Sequence, residues 1–145
     1  MNWQKEAAGE LRKYKARRQS LDSMAERRAA LEDAFRGIRS AAADAAPVQG
    51  GGSRMEDSLI NNIVERERLY WTIKATKRLV ELTERGLAGL DERQRTVLEK
   101  FYIDRPPDHI DWLSEHLCYE KSRVYQLKDE ALYQFTVAMY GLTDY

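Results

Sequence analysis

Between residues 121 and 128 the chain gathers side chains suited to nucleic acid. Arg123 and Gln126 can each make two parallel hydrogen bonds to a base edge, guanine for the first and adenine for the second. Lys121, Ser122 and Tyr125 stand beside them, and Lys128 follows within the next turn. At roughly 3.6 residues per turn, Ser122, Gln126 and Asp129 share one helix face, flanked by Lys121, Arg123 and Tyr125. The opposite face carries Val124, Leu127 and Ala131, the stripe that would hold such a helix against a core. Basic groups in a first helical turn suit phosphate, because unpaired amides and the helix dipole add to their charge. The chemistry expected of Lys121, Ser122, Arg123, Tyr125, Gln126 and Lys128 is contact with double-stranded DNA, although spacing alone is met equally by a plain pair of packed helices.

Other groupings carry less. Asp108, His109, Asp111, Glu115, His116 and Cys118 collect metal-ligand types, yet Asp108 and Asp111 read better as helix caps. Two histidines and one cysteine make a poor ligand set, so no metal and no cofactor is expected. Cys118, the single cysteine, excludes an internal disulfide and reads as a small packed turn residue or as a redox-sensitive thiol. No Ser-His-Asp constellation can be placed, and the pairs Asp91-Glu92 and Asp129-Glu130 read as solvated charges. No enzymatic activity is expected. The densest basic run, Arg12, Lys13, Lys15, Arg17 and Arg18, reads as a solvated helix face, with a secondary phosphate contact or an acidic partner as alternatives.

The elements that must position these groups are all helical. Few valines and isoleucines and only 3 prolines among 145 residues leave little material for strands. Residues 2 to about 44 read as one long helix with a stripe through Trp3, Ala7, Leu11, Tyr14 and Leu21, continued by Met24, Leu31, Phe35 and Ile38. Pro47, three consecutive glycines and Ser53 make residues 45–54 a Gly-rich connection. A second helix, from about Glu56 to Arg85, is expected to be capped by Asp57 or Ser58 and ended by Gly86 and Gly89. Two long amphipathic helices joined this way bury their stripes most simply as an antiparallel hairpin. Asp91 then caps a third helix that buries Val97, Leu98, Phe101 and Tyr102 and stops at Arg105-Pro106-Pro107. Asp108 opens a short helix, Cys118-Tyr119-Glu120 makes a turn, and a last helix runs from about Lys121 to Tyr140, closed by Gly141. The division expected is an association hairpin over 1–86 and a helix-turn-helix unit over 87–145. Tyr133, Val137, Met139 and Tyr140 extend an apolar surface that either docks on the long hairpin or forms a homodimer contact.

Charge is balanced overall, with 24 basic and 24 acidic residues, but unevenly spread. Residues 1–44 hold 10 basic and 7 acidic groups, whereas residues 91–145 hold 7 basic and 11 acidic. The segment that would read DNA is thus net acidic, which predicts modest affinity unless a dimer or another protein helps hold it there. The longest uncharged run has 13 residues, between Glu130 and Asp144, too short to cross a bilayer. No basic-then-apolar leader opens the chain, so a cytoplasmic protein with no membrane partner is expected.

Residues 90–133 resemble region 4 of sigma-70-type transcription factors. The likeness lies in Leu90-Asp91-Glu92-Arg93-Gln94-Arg95-Thr96-Val97-Leu98, Phe101-Tyr102, Trp112-Leu113-Ser114-Glu115-His116-Leu117, Ser122-Arg123-Val124 and Ala131-Leu132. With Val48-Gln49-Gly50-Gly51-Gly52-Ser53 ahead of it, the whole chain is similar to phage and prophage regulators of Gram-positive bacteria, of the ArpU and RinA types. The resemblance implies a DNA-binding regulator in the bacterial host cytoplasm, with RNA polymerase as a further partner. It also places Lys121, Ser122, Arg123, Tyr125 and Gln126 where region 4 contacts bases and phosphates. A protein-binding adaptor, for RNA polymerase or a phage packaging component, is the reading from another class.

Overall fold

The computed structural model describes residues 2–44 and 52–141. Among the described residues five α-helices follow one another: α1 Trp3–Asp44, α2 Gly52–Ala88, α3 Glu92–Leu98, α4 His109–Leu117 and α5 Lys121–Tyr140. No strand occurs among the described residues, and the chain is all-α. Most of the expected connection, residues 45–51, lies outside the described residues. α2 begins earlier than its composition suggests, so Asp57 and Ser58 lie inside it rather than capping it.

Compact packing divides the chain into one unit of Met1–Arg18 with Arg78–Tyr145 and a second of Gln19–Lys77. The expected boundary at residue 86 does not appear in this division. The cause is apolar contact: Ala7, Ala8 and Leu11 of α1 are buried in one cluster with Leu90, Leu98, Ala131, Leu132 and Phe135. Leu87, Met139 and Tyr140 pack against this cluster, and the Trp3 and Tyr140 rings lie 4.9 Å apart. Of the C-terminal apolar surface, Met139 and Tyr140 therefore dock within the unit, while Tyr133 and Val137 remain exposed.

Gly86 does not terminate α2, which runs on to Ala88. It is buried, and a Cβ there would lie 2.7 Å from the Phe135 ring. Its role is to let α2 approach α5 closely. Four members of the basic run of α1 are engaged in the same unit. Arg12 lies over the Tyr102 ring, Lys15 pairs with Asp104 at 2.7 Å, Arg17 with Glu10, and Arg18 with Glu84 at 3.3 Å. Glu84 also accepts from the Tyr14 hydroxyl at 3.0 Å, and partial burial together with this carboxylate raises the Tyr14 pKa above its ordinary value.

α3 starts as its sequence dictates. Asp91 accepts from the Gln94 amide at 2.8 Å, and the Gln94 side chain accepts from the Asp91 amide, a reciprocal capping box. Beyond Leu98 the helix widens into a π turn over Glu99–Ile103, closed by the Asp104 amide donating to the Glu99 carbonyl at 2.7 Å. Leu98 belongs to the first cluster and Phe101 to a second, with Val97, Leu113, Val124 and Leu127. This second cluster is what holds α4 and α5 together.

In the unit of Gln19–Lys77, Arg27 pairs with Glu65 at 3.1 Å, and Asn62 donates to the Leu31 carbonyl at 2.8 Å. Partner numbers fall along α2 as they rise along α1, so the two segments run in opposite directions here. Asn62 is buried, and its one hydrogen bond ties down the register of the pair.

Candidate nucleic-acid interface

α4 opens without the cap its sequence suggests. Asp108 occupies the N-cap position, but its carboxylate makes no capping hydrogen bond. Asp111, the expected partner in that cap, pairs instead with Lys121 of α5 at 3.0 Å. The Asp108 backbone, at φ −99 and ψ 24, departs from the extended conformation that a side-chain cap requires. His109 is buried, edge-on to Phe101, with its Nδ1 3.2 Å from the Pro106 carbonyl. His116 stacks on Trp112 at 4.5 Å. Both histidines thus pack against rings, and among the described residues no group of three or more His, Cys, Asp or Glu is placed to share an ion.

The turn between α4 and α5 is held at three points. Cys118 adopts φ 58 and ψ 41, the left-handed conformation that ends a helix. The amides of Cys118 and Tyr119 both donate to the Ser114 carbonyl, the latter at 3.1 Å. The Ser114 hydroxyl donates to the Tyr119 carbonyl across the turn. A non-glycine residue at positive φ costs of order 1–3 kcal/mol, partly offset by the greater unfolded-state freedom of glycine. Cys118→Gly is therefore expected to raise stability by about 0.5–1 kcal/mol, read as a higher urea midpoint with an unchanged slope.

α5 leaves this turn at Glu120, its N-cap, whose side chain accepts nothing from the helix. The first-turn amides of α5 consequently have no side-chain cap. Val124, Leu127 and Ala131 are buried, as their spacing predicts. Lys121, Ser122, Arg123, Tyr125 and Gln126 are all exposed. Tyr125 leans its ring edge on Phe101 while remaining 48% exposed. Lys128 stands apart from this group. Its side chain is only 21% exposed, with its ammonium 5.7 Å from the Phe101 ring centre and 2.7 Å from Asp129.

Each basic side chain of α5 has a carboxylate partner: Lys121 with Asp111, Arg123 with Glu130 at 3.3 Å, and Lys128 with Asp129. Arg123 lies back along the helix, its guanidinium also 3.5 Å from the Gln126 amide oxygen. The Lys121 and Arg123 pairs are open to solvent, so each is worth only about 0–1 kcal/mol. Two residues outside the expected DNA-contacting group join the surface. The guanidiniums of Arg93 and Arg123 each lie 5.8 Å from the Tyr119 ring centre, and the Tyr119 hydroxyl accepts from Arg93 at 2.6 Å. No local spacing signals this contact, because Arg93 and Tyr119 are 26 residues apart. Comparison with protein-family models, with curated proteins and with solved structures gives no match.

Proposed function

We propose that the chain is a non-enzymatic transcriptional regulator of phage type that lays the first two turns of α5 in the major groove of promoter or operator DNA. The observation that carries this reading is the division of α5. Lys121, Ser122, Arg123, Tyr125 and Gln126 stand together in solvent, while Val124 and Leu127 fix the helix from behind. In this reading Arg123 and Gln126 read base edges. Lys121, Ser122 and the uncapped amides take backbone phosphates, and Arg93 adds a second guanidinium beside Tyr119. Lys128, held at the flank, reaches phosphate only by leaving Asp129. The protein acts in the cytoplasm of the bacterial host, with RNA polymerase as a further partner.

The test is retention of the protein's own upstream DNA against an unrelated duplex. Arg123→Ala with Gln126→Ala is expected to remove the preference for the upstream sequence while helical content is unchanged. Each lost bidentate contact removes about 1–3 kcal/mol of discrimination. Undiminished preference would overturn the placement of α5 in the groove. A second reading, an adaptor that binds protein through the same surface, draws support from the carboxylate beside every basic group of α5. Co-purification with RNA polymerase that survives both substitutions favours that reading.

A further inference from the structure

The unit of Gln19–Lys77 has a meagre interior. Among its described residues Leu31 is the one buried large hydrophobic side chain. Five large apolar side chains of the same unit lie exposed on α2: Ile60, Ile63, Val64, Tyr70 and Trp71. The face of α2 that meets α1 carries Asn62 and Arg66, while an opposite stripe is open from end to end. That stripe is Asp57, Ile60, Val64, Glu67, Trp71 and Lys74, all exposed, at alternating three- and four-residue spacing. Such spacing forms the seam of a two-helix coiled coil. Ile60, Val64 and Trp71 are 56%, 51% and 58% exposed, more than an unused apolar stripe of this regularity warrants.

We propose that this outer seam of α2 binds the same seam of a second copy of the chain, in antiparallel orientation. Charge decides both the occupant and its direction. A two-fold axis midway between residues 65 and 66 sets Asp57 opposite Lys74, Ile60 opposite Trp71, and Val64 opposite the aliphatic stem of Glu67. Both ends of the seam then carry an opposite-charge pair, the Ile60–Trp71 layers are apolar on both sides, and each Glu67 carboxylate must turn out to solvent past Val64. A parallel copy in register would set Asp57 on Asp57, Glu67 on Glu67 and Lys74 on Lys74, three like-charge layers. The seam is thus complementary to its own reverse and not to itself in parallel. Ile63 and Tyr70 border it on one side and widen the apolar contact.

The 145-residue chain is expected to show twice its 16.9 kDa mass by light scattering at tens of micromolar. Asp57→Lys alone and Lys74→Asp alone each create two like-charge layers and are expected to weaken the dimer by about tenfold or more. The double variant exchanges the two charges across the axis and is expected to recover the original affinity, although the two residues belong to layers that never meet within one chain. Direction is read by disulfide trapping in a Cys118→Ser background. A mixture of Ile60→Cys chains and Trp71→Cys chains is expected to cross-link, whereas Ile60→Cys alone is not. In an antiparallel pair the two copies of residue 60 are separated by about 16 Å along the axis, beyond disulfide reach. A monomeric mass, failure of the double charge exchange to rescue, or self-cross-linking of Ile60→Cys would each overturn the proposal. A monomer that instead captures another protein's helix on this face overturns the choice of partner.

Discussion

Replacing Phe135 by alanine is expected to lower stability by about 3–5 kcal/mol, a large share of what a domain of this size holds. Phe135 is fully buried and sits in the cluster that joins the start of α1, the end of α2 and the C-terminal half of α5. Its ring also determines what Gly86 can be. A Cβ at Gly86 would lie 2.7 and 3.0 Å from two ring carbons of Phe135 and 3.4 Å from Met139. Alanine in a helix is favoured over glycine by roughly 0.8–1 kcal/mol, but a ring locked in a packed core cannot move aside without a cost of about 1–3 kcal/mol. Gly86→Ala is accordingly expected to destabilise the natural chain. In the Phe135→Ala background the obstruction is gone and the same substitution is expected to stabilise. Urea unfolding of the two single variants and the double variant reads this reversal as a coupling energy. Simple additivity would show that the close approach of α2 to α5 is not made in solution.

The second large effect concerns charge on α5. Neutralising its three carboxylate partners together, Asp111→Asn, Asp129→Asn and Glu130→Gln, is expected to strengthen binding to any duplex and to steepen its dependence on salt. The pairs of Lys121 and Arg123 lie at the surface, so folding stability is expected to change little. Each cation released to a phosphate adds about 0.9 to the slope of log affinity against log salt. Three such contacts make affinity fall by roughly an additional 40-fold between about 50 and 200 mM salt. Fluorescence anisotropy on an unrelated duplex across that range measures it. An unchanged slope would mean that α5 meets no phosphate backbone, and would favour the protein-binding reading of the same surface.

How far these features could be read in advance differs from element to element. The N-cap at Asp91 and the buried stripe of Val124, Leu127 and Ala131 are legible in the sequence because each depends on neighbours within one or two turns. The same holds for Gly141, which ends α5 at φ 85 where a side chain would be strained. Asp108 and Gly86 depart from the expected helix punctuation for different reasons. The Asp108 backbone is not in the extended conformation that a side-chain cap requires, which residue type does not announce. At Gly86 the decisive neighbour is distant, because the Phe135 ring leaves no room for a side chain there. The Tyr119 contact with Arg93 and the docking of Ala7, Ala8 and Leu11 against α5 are likewise encoded in no spacing. Of the candidate site, the exposed group from Lys121 to Gln126 followed from periodicity, whereas the flank position of Lys128 depends on Phe101.

The packing of Met1–Arg18 with Arg78–Tyr145 also orders events during synthesis. The first turns of α1 leave the ribosome long before Leu132 and Phe135, which share the buried cluster of Ala7, Ala8 and Leu11. Until then that apolar strip is only partly covered by its own chain, and helix formation alone cannot supply the rest. Completion of this cluster must await α5 and then close a loop from Leu11 to Ala131, a contact of high sequence separation in an otherwise locally wound protein. The nascent chain is therefore most exposed to aggregation or to capture by a chaperone in the interval before Leu132 and Phe135 emerge.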